Sequence, residues 1–186
     1  MGTIKTTNIE PIADNGTVTL GSSGDTFTLG SGVVQSNLNY PAFGASVAST
    51  QYITASTWTK IRLNTEILDT NNAYDPTTNY RFTVPSGQAG KYYISLDYVV
   101  QTDSNNLTYN ISGIYKNGVI FKRTDMNSNS TSNAQFRRFS LNSNIIADLS
   151  VGDYIEAFAY ASATSPYMSG DDVEARSFFG AYRIGA

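Results

Sequence analysis

Apolar and polar residues alternate along most of the chain after residue 40, and turn residues separate the alternating segments at steady intervals. Alternation with a period of two is typical of strands that bury one face, whereas an amphipathic helix repeats every ~3.6 residues. No stretch combines the helical period with capping residues. The pattern therefore predicts strands over the segments 41–47, 58–64, 80–84, 91–101, 114–121, 136–149, 154–160 and 178–184.

The strongest local signal is the pair Asn117-Gly118, which separates two short apolar runs. Both residues tolerate positive φ, so the pair predicts a β-hairpin closed by a type I′ turn. Eight or more antiparallel strands in residues 41–186 predict an all-β sandwich. A jelly roll is the commonest way to protect the edges of such a sandwich.

Residues 1–40 differ from the rest, because they are rich in Gly, Thr, Ser and Asn and contain a short repeat. The sequence TVTLGS at 17–22 recurs as TFTLGS at 26–31, and each copy predicts a short strand followed by a Gly-Ser turn. One such strand pair buries too little apolar surface to fold alone, so copies from neighbouring chains would complete its core. We predict a trimeric shaft or attachment arm over 1–40, preceding a head over 41–186, with the shaft core formed by Val18, Leu20, Phe27 and Leu29. The alternative is a flexible linker.

Charge and composition narrow the function. The net charge is −3, only 15% of residues are charged, and no run of Lys or Arg exceeds two residues. The basic footprint of a nucleic-acid-binding protein is therefore missing. No apolar run approaches the ~20 residues of a membrane span, and no secretion signal is present. The absence of cysteine fits a protein that folds in a reducing cytosol, including one packaged there into a virus.

The chain contains neither His nor Cys, which excludes the nucleophilic triads and thiolate metal sites. We therefore predict no catalytic residue and no enzyme activity. The acidic cluster Asp171, Asp172 and Glu174 lies in a Gly-containing loop before the last strand, where carboxylate oxygens could hold calcium. The alternative is a solvated acidic turn. No other cofactor is expected.

Several motifs carry a family resemblance. In chain order, the segments 41–43, 74–76, 80–85, 90–94, 116–118, 149–155 and 178–180 resemble the globular head of complement subcomponent q, a member of the tumour-necrosis-factor-like jelly-roll superfamily. One departure is Asn79, which stands where that family usually has a turn glycine. No collagen-like stalk precedes the head. Residues 2–34 instead resemble the short N-terminal repeats of virion proteins from tailed phages, notably those that infect marine cyanobacteria.

The resemblance implies a homotrimer whose heads pack around a threefold axis through aromatic and apolar strand residues, with binding on the outer loops. Candidates for either the head core or the threefold contact are Tyr92, Ile94, Phe178 and Tyr182, and the sequence leaves the choice open. The arm would attach the protein to other virion proteins.

Four functions follow as hypotheses. The first is a non-catalytic trimeric virion fibre, made in the host cytoplasm and displayed on the particle surface, whose head binds a host-surface receptor such as a glycan. The second is a capsid head-decoration or cement protein, which the short chain favours. A carboxylate-dependent glycan hydrolase would need two carboxylates across a cleft, which the sequence does not place. A secreted lectin-like ligand is disfavoured by the missing signal and cysteines.

Overall fold

The computed structural model describes residues 40–127, 136–170 and 176–185, together with the single positions 26 and 31. The chain divides into two units, Met1–Ser36 and Asn37–Ala186, and the fold below is that of the second. The predicted shaft residues Val18, Leu20, Phe27 and Leu29 lie outside the described residues, so the shaft and the boundary after residue 40 stay predictions.

The described residues form thirteen β-strands and no helix. In chain order the strands are β1 Ala42–Ser46, β2 Gln51–Tyr52, β3 Thr59–Lys60, β4 Thr65–Asp69, β5 Tyr74–Asp75, β6 Arg81–Thr83, β7 Gly90–Gln101, β8 Tyr109–Lys116, β9 Val119–Asn127, β10 Arg138–Leu149, β11 Tyr154–Ser162, β12 Tyr167–Met168 and β13 Phe178–Gly185.

The strands form two antiparallel sheets. The first has the order β2-β12-β7-β13-β1-β4, and β10 pairs with β7 along its other edge over the whole length of both strands. The second has the order β5-β6-β11-β8-β9, and β3 joins the edge of β11 beyond β6. The chain thus crosses repeatedly between two packed layers, which confirms the predicted all-β jelly-roll sandwich.

The core lies between the sheets and follows the period of two. On β7, Tyr92, Ile94, Leu96, Tyr98 and Val100 all point inward and are at most 1% exposed. The facing strand β11 contributes the small side chains Ala157, Ala159 and Ala161, so large rings on one sheet meet small residues on the other. Alternation of large and small side chains across the two layers lets them interdigitate at the density of a protein interior.

One end of the core is filled by stacked aromatic rings. Phe43 stacks on Tyr74 at 4.9 Å and on Phe82 at 4.8 Å, and it meets Phe179 edge to face at 5.3 Å. Such pairs each add about 0.5–1.5 kcal/mol beyond the burial of their surface. The Tyr74 hydroxyl donates to the carbonyl of Leu63 at 2.9 Å, so its polar atom is satisfied inside the sandwich.

The predicted hairpin is confirmed. Asn117 and Gly118 have φ values of 52° and 78° between β8 and β9, as a type I′ turn requires. The Asn117 side chain also donates to Asp153 Oδ1 at 2.7 Å and accepts from the Tyr154 amide at 2.9 Å. Hydrogen bonding from Lys116 is the main cause that lowers the pKa of Asp153 to about 2, so this end of the sandwich is held by a charged cluster.

The segment 58–64, predicted as one strand, differs from expectation. Only Thr59–Lys60 form a strand beside β11, and the chain leaves the second sheet after Ile61, whose amide donates to Ala157 O at 2.9 Å. Ile61 and Leu63 are buried on the side facing the core. The predicted alternation of buried and exposed side chains is therefore present, although the segment does not form a full strand. The side chain of Gln51 takes the place of a neighbouring strand here. Its Nε2 donates to Lys60 O at 2.7 Å, and its Oε1 accepts from Arg62 N at 2.8 Å.

Candidate binding surfaces

The four residues proposed for the head core or the threefold contact separate into two pairs. Tyr92 and Ile94 are 0% exposed and lie in the core. Phe178 and Tyr182 lie on β13 and face away from the core, on the outer side of the first sheet. The structure therefore does not bring the four together, because β7 and β13 pair with Tyr93, and not Tyr92, opposite Tyr182.

The outer side of the first sheet carries an apolar surface, which we call the first-sheet face (Leu68, Tyr93, Ile146, Phe178 and Tyr182). Ile146, Tyr93 and Tyr182 lie side by side on β10, β7 and β13. The rings of Tyr93 and Tyr182 are 5.6 Å apart. Ile146 is 61% exposed and Leu68 is 52% exposed. Exposed apolar side chains in one contiguous row mark an interaction surface.

Two glycines shape the middle of the first-sheet face. A Cβ atom at Gly180 would lie 2.6 Å from the Phe178 ring, and one at Gly44 would lie 3.0 Å from it. The ring therefore lies close to the backbone of both strands, beside an apolar recess of about 330 Å3 that Leu68, Tyr93 and Tyr182 also line. Only residues without a side chain allow this close approach.

Three members of the first-sheet face were missed from the sequence, namely Leu68, Tyr93 and Ile146. Tyr93 had a usable signal, because it follows Tyr92 in an alternating strand and must face the opposite side. Ile145 and Ile146 are likewise adjacent, and the structure packs the first, partly buried, against the core and exposes the second. Leu68 had no such signal, since most of β4 is exposed.

The outer side of the second sheet carries a different surface, which we call the aromatic platform (Trp58, Tyr109, Tyr115, Phe158 and Tyr160). Trp58 meets Tyr160 and Tyr115 edge to face, both at 5.7 Å. Tyr109 meets Tyr160 at 5.9 Å, and Tyr115 lies over Phe158 at 4.1 Å. The rings thus form one continuous row across β8 and β11, and each is half-buried by its neighbours.

The space left by a glycine lets Trp58 lie at the centre of the aromatic platform. It precedes β3 and lies over Gly113 of β8, where a Cβ atom would come within 2.8 Å of the indole ring. Gly113 has an ordinary backbone conformation, so its role here is the space it leaves and not a special turn. The long sequence separation of Trp58 and Gly113 explains why the sequence alone did not indicate this site.

An ion pair stands at each end of the aromatic platform. At one end Lys60 Nζ lies 2.5 Å from Glu156 Oε1, and 5.7 Å from the centre of the Phe158 ring. At the other end Arg123 Nη2 lies 3.3 Å from Asp125 Oδ2, which also accepts a hydrogen bond from the Tyr109 hydroxyl at 3.1 Å. These cations are matched by carboxylates, so the platform carries polar groups but little net charge.

The hydroxyls of Tyr109 and Tyr115 on the aromatic platform remain protonated at neutral pH. Partial burial raises the pKa of Tyr115 above its ordinary value. Desolvation also raises the pKa of Tyr109, and the nearby Asp125 carboxylate adds to this effect. Both hydroxyls can therefore donate as well as accept hydrogen bonds, which suits recognition of a hydroxylated ligand.

The proposed calcium site involves a loop before the last strand. Asp171, Asp172 and Glu174 lie outside the described residues, so the calcium site stays a prediction. Within residues 40–127, 136–170 and 176–185, no three His, Cys, Asp or Glu side chains gather as a metal site would require. A search of the same residues for a helix that could span a membrane finds none.

No protein-family model matches the sequence, and no curated protein does. Solved structures do match. Murine APRIL superposes with a TM-score of 0.55 and 13% identity, covering 77% of this chain and 98% of APRIL. The globular domain of zebrafish complement 1qA gives 0.52 and 14%, covering 77% and 97%. Eiger TNF from S. frugiperda gives 0.57 and 10%, covering 79% and 94%.

At these identities the likeness is one of fold. The head resembles the jelly rolls of tumour-necrosis-factor-like and complement-q proteins, which confirms the fold predicted from the motifs. The resemblance of residues 2–34 to phage virion proteins stays a prediction.

Proposed function

We propose that the chain is a non-catalytic binding protein that forms a homotrimer through the first-sheet face. The observation that carries the proposal is the row formed by Ile146, Tyr93 and Tyr182, which continues to Phe178 and Leu68 across an apolar recess. A monomer would leave this row in water. A closed ring of three chains buries it in every copy with a single kind of contact.

The size of the exposed side chains supports a protein interface. Tyr182 is 41% exposed, and Ile146 and Leu68 are more than half exposed. Burial contributes roughly 25 cal/mol for each Å2 of apolar surface removed from water. A stable interface needs on the order of 800 Å2 from each partner, which a flat sheet face can supply. The similar structures of murine APRIL and zebrafish complement 1qA support the same choice, because this chain shares their jelly-roll fold and heads of that fold typically form homotrimers.

We further propose that the trimer is a virion surface protein, with the head projecting from the particle and binding the host surface. This proposal is based on the repeat at 17–31 in front of a jelly-roll head, together with the low fraction of charged residues and the absence of cysteine. Attachment through the arm on residues 1–40 would leave the head free. A head-decoration protein is built from the same parts, and its place on the particle separates the two.

Two measurements test this function. Light scattering coupled to size exclusion should give a mass near three times 20.2 kDa. A folded monomer at micromolar concentration would overturn the trimer. Electron microscopy of intact particles labelled with an antibody to the head should show the protein on the tail for a fibre, or on the capsid for a decoration protein. Absence from purified particles would refute the virion role.

A further inference from the structure

We propose that the aromatic platform on the second sheet binds uncharged carbohydrate, with hexose rings laid on the side chains of Trp58, Tyr115 and Tyr160. The inference rests on the binding function proposed above and names the ligand class and the residues. The platform lies on the sheet opposite the first-sheet face, so trimer formation by that face leaves it accessible.

The shape of the platform fits a sugar ring. A hexose has one face of C–H groups and a circumference of hydroxyls, so its apolar body packs on an aromatic ring while its edge needs hydrogen bonds. The five rings are fixed by mutual edge-to-face and offset contacts between 4.1 and 5.9 Å. A rigid aromatic surface loses little conformational entropy when it binds.

The polar groups at both ends of the platform fit the edge of a sugar. Asp125 and Arg123 lie beside Tyr109, and the partly exposed Lys60 lies beside Phe158. Carboxylate, guanidinium and ammonium groups make charge-assisted hydrogen bonds to hydroxyls, and these are the stronger kind. A chain of several hexoses could therefore stack along the row and be hydrogen-bonded at both ends.

Charge complementarity favours an uncharged ligand. Lys60 and Arg123, the cations at its two ends, are each paired with a carboxylate. No excess of positive charge remains on the platform to attract sulfate, carboxylate or phosphate groups. A single-stranded nucleic acid also stacks on aromatic rings, but it needs a positively charged groove for its backbone.

The limited exposure of the rings disfavours a protein partner. Each of the five is half-buried, and the exposed large apolar side chains of the described residues do not include any of them. A stable protein interface needs on the order of 800 Å2 from each partner with an apolar centre. A sugar ring needs only one ring face and a few polar neighbours.

Three platforms on one trimer would bind a repeated surface glycan together. Individual sites of this kind are weak, and linkage through the trimer raises the overall affinity by roughly 100-fold or more when the spacing of the ligands allows it. The weak single site and the strong multivalent one can be measured separately, which makes the test specific.

The test uses the full chain, because Trp58 is its single tryptophan and reports directly on the platform. Titration with maltohexaose, cellohexaose and mannohexaose should change the intrinsic tryptophan fluorescence in a saturable way for at least one of them. Dextran sulfate and a thymidine oligonucleotide are the charged comparisons. A response to the charged probes alone would overturn the proposal, as would no response to any probe at tens of millimolar.

Two platform variants and one control locate the site. Tyr160→Ala should weaken binding at least fivefold, because it removes one stacking surface and one neighbour of Trp58. Gly113→Ala should weaken it similarly by displacing the indole, whose ring lies within 2.8 Å of the new methyl. Tyr52→Ala is the matched control, since it removes an exposed aromatic side chain on the first sheet. Unchanged binding in both platform variants, with the fold intact by circular dichroism, would place the site elsewhere and refute the proposal.

The trimer and the platform can fail independently. A variant that is monomeric because of changes in the first-sheet face should keep the fluorescence titration of each site and lose retention on a glycan-coated surface. Loss of the titration in that monomer would show that the platform needs the trimer and would overturn the single-chain site proposed here.

Discussion

The first-sheet face and the aromatic platform are both rich in tyrosine, but they differ in how their rings are supported. On the first-sheet face only Tyr93 and Tyr182 contact each other as rings, and Ile146 and Leu68 stand largely in solvent. On the platform every ring touches another, and Trp58 fits over Gly113. We expect another molecule to cover the first surface, whereas the rings of the second already pack against one another.

This difference teaches that aromatic content alone does not identify a binding surface. Exposed aliphatic side chains around a recess favour a protein of matching shape, because burial of their surface supplies the free energy. Interlocked rings between ion pairs offer flat surfaces and hydrogen bonds instead. The predictions below test whether the two faces have these separate roles.

The largest effect is expected from placing charge on the first-sheet face. Ile146→Asp together with Tyr182→Asp would bury two carboxylates in each contact. The dissociation constant of the trimer should therefore rise at least 100-fold, a loss of roughly 3 kcal/mol in the free energy of association. Light scattering coupled to size exclusion measures the mass. Tyr52→Asp with Val119→Asp is the control, because both side chains are 68% exposed and lie outside this face. A trimeric variant, or an equally dissociated control, would contradict the assignment.

A smaller effect is expected from filling the space beneath Phe178. A methyl at residue 180 would lie 2.6 Å from the Phe178 ring and 2.9 Å from the Phe43 carbonyl oxygen, so Gly180→Ala should destabilise the fold by about 1–3 kcal/mol. Urea unfolding at fixed protein concentration measures this. Gly185→Ala on the same strand meets no atom within 4 Å and should change stability by less than about 0.5 kcal/mol. Equal effects at the two positions would contradict the steric explanation.

The ion pair at the Phe158 end of the platform should contribute next. Glu156 is 5% exposed, so Lys60→Met leaves a buried carboxylate without its cation and should cost about 2 kcal/mol, less than for a fully buried pair because the Lys60 side chain is 34% exposed. Adding Glu156→Gln should restore more than half of the loss. If the second change gives no recovery in thermal unfolding, the cost arises from packing and not from charge.

The smallest effect concerns acid stability. The folded-state pKa of Asp153 is about 2, below its ordinary value of 3.8. The carboxylate therefore stabilises the fold above pH ~4, and this contribution, on the order of 1–2 kcal/mol, is lost as the pH falls from about 4 to 2. Asp153→Asn should flatten the pH dependence of stability in that range. Asp148→Asn is the comparison, because its side chain is 81% exposed, and it should leave the slope unchanged.

Much of the fold could be predicted from local patterns. The segment 91–101 alternates clearly and forms β7, and Asn117-Gly118 determines its own turn geometry. The segment 58–64 shows where a local pattern misleads, because Ile61 and Leu63 alternate with polar residues as in a strand, whereas the Gln51 side chain bonds the backbone of the intervening Lys60 and Arg62. Periodicity reports which side chains are buried and not which backbone groups are paired.

The binding surfaces were harder to predict. Alternation places Tyr92 and Tyr93 on opposite sides but does not say which side is the core, and that choice depends on the other sheet. The platform depends on the contact of Trp58 with Gly113, two residues distant in the chain that meet only through the pairing of β3 and β8 with β11. Local sequence carries no signal for such a contact.

The hydrogen bonds of Asn117 have a consequence for local opening of the sandwich. The backbone N–H of Asn117 donates to the backbone carbonyl of Tyr154 at 2.9 Å. The side-chain Oδ1 of Asn117 accepts from the backbone N–H of Tyr154, also at 2.9 Å. The hairpin tip therefore cannot separate from the start of β11 without breaking both bonds. Because segments joined in this way open as one cooperative unit, the amide protons of Asn117 and Tyr154 should exchange with deuterium at matching rates and be released together.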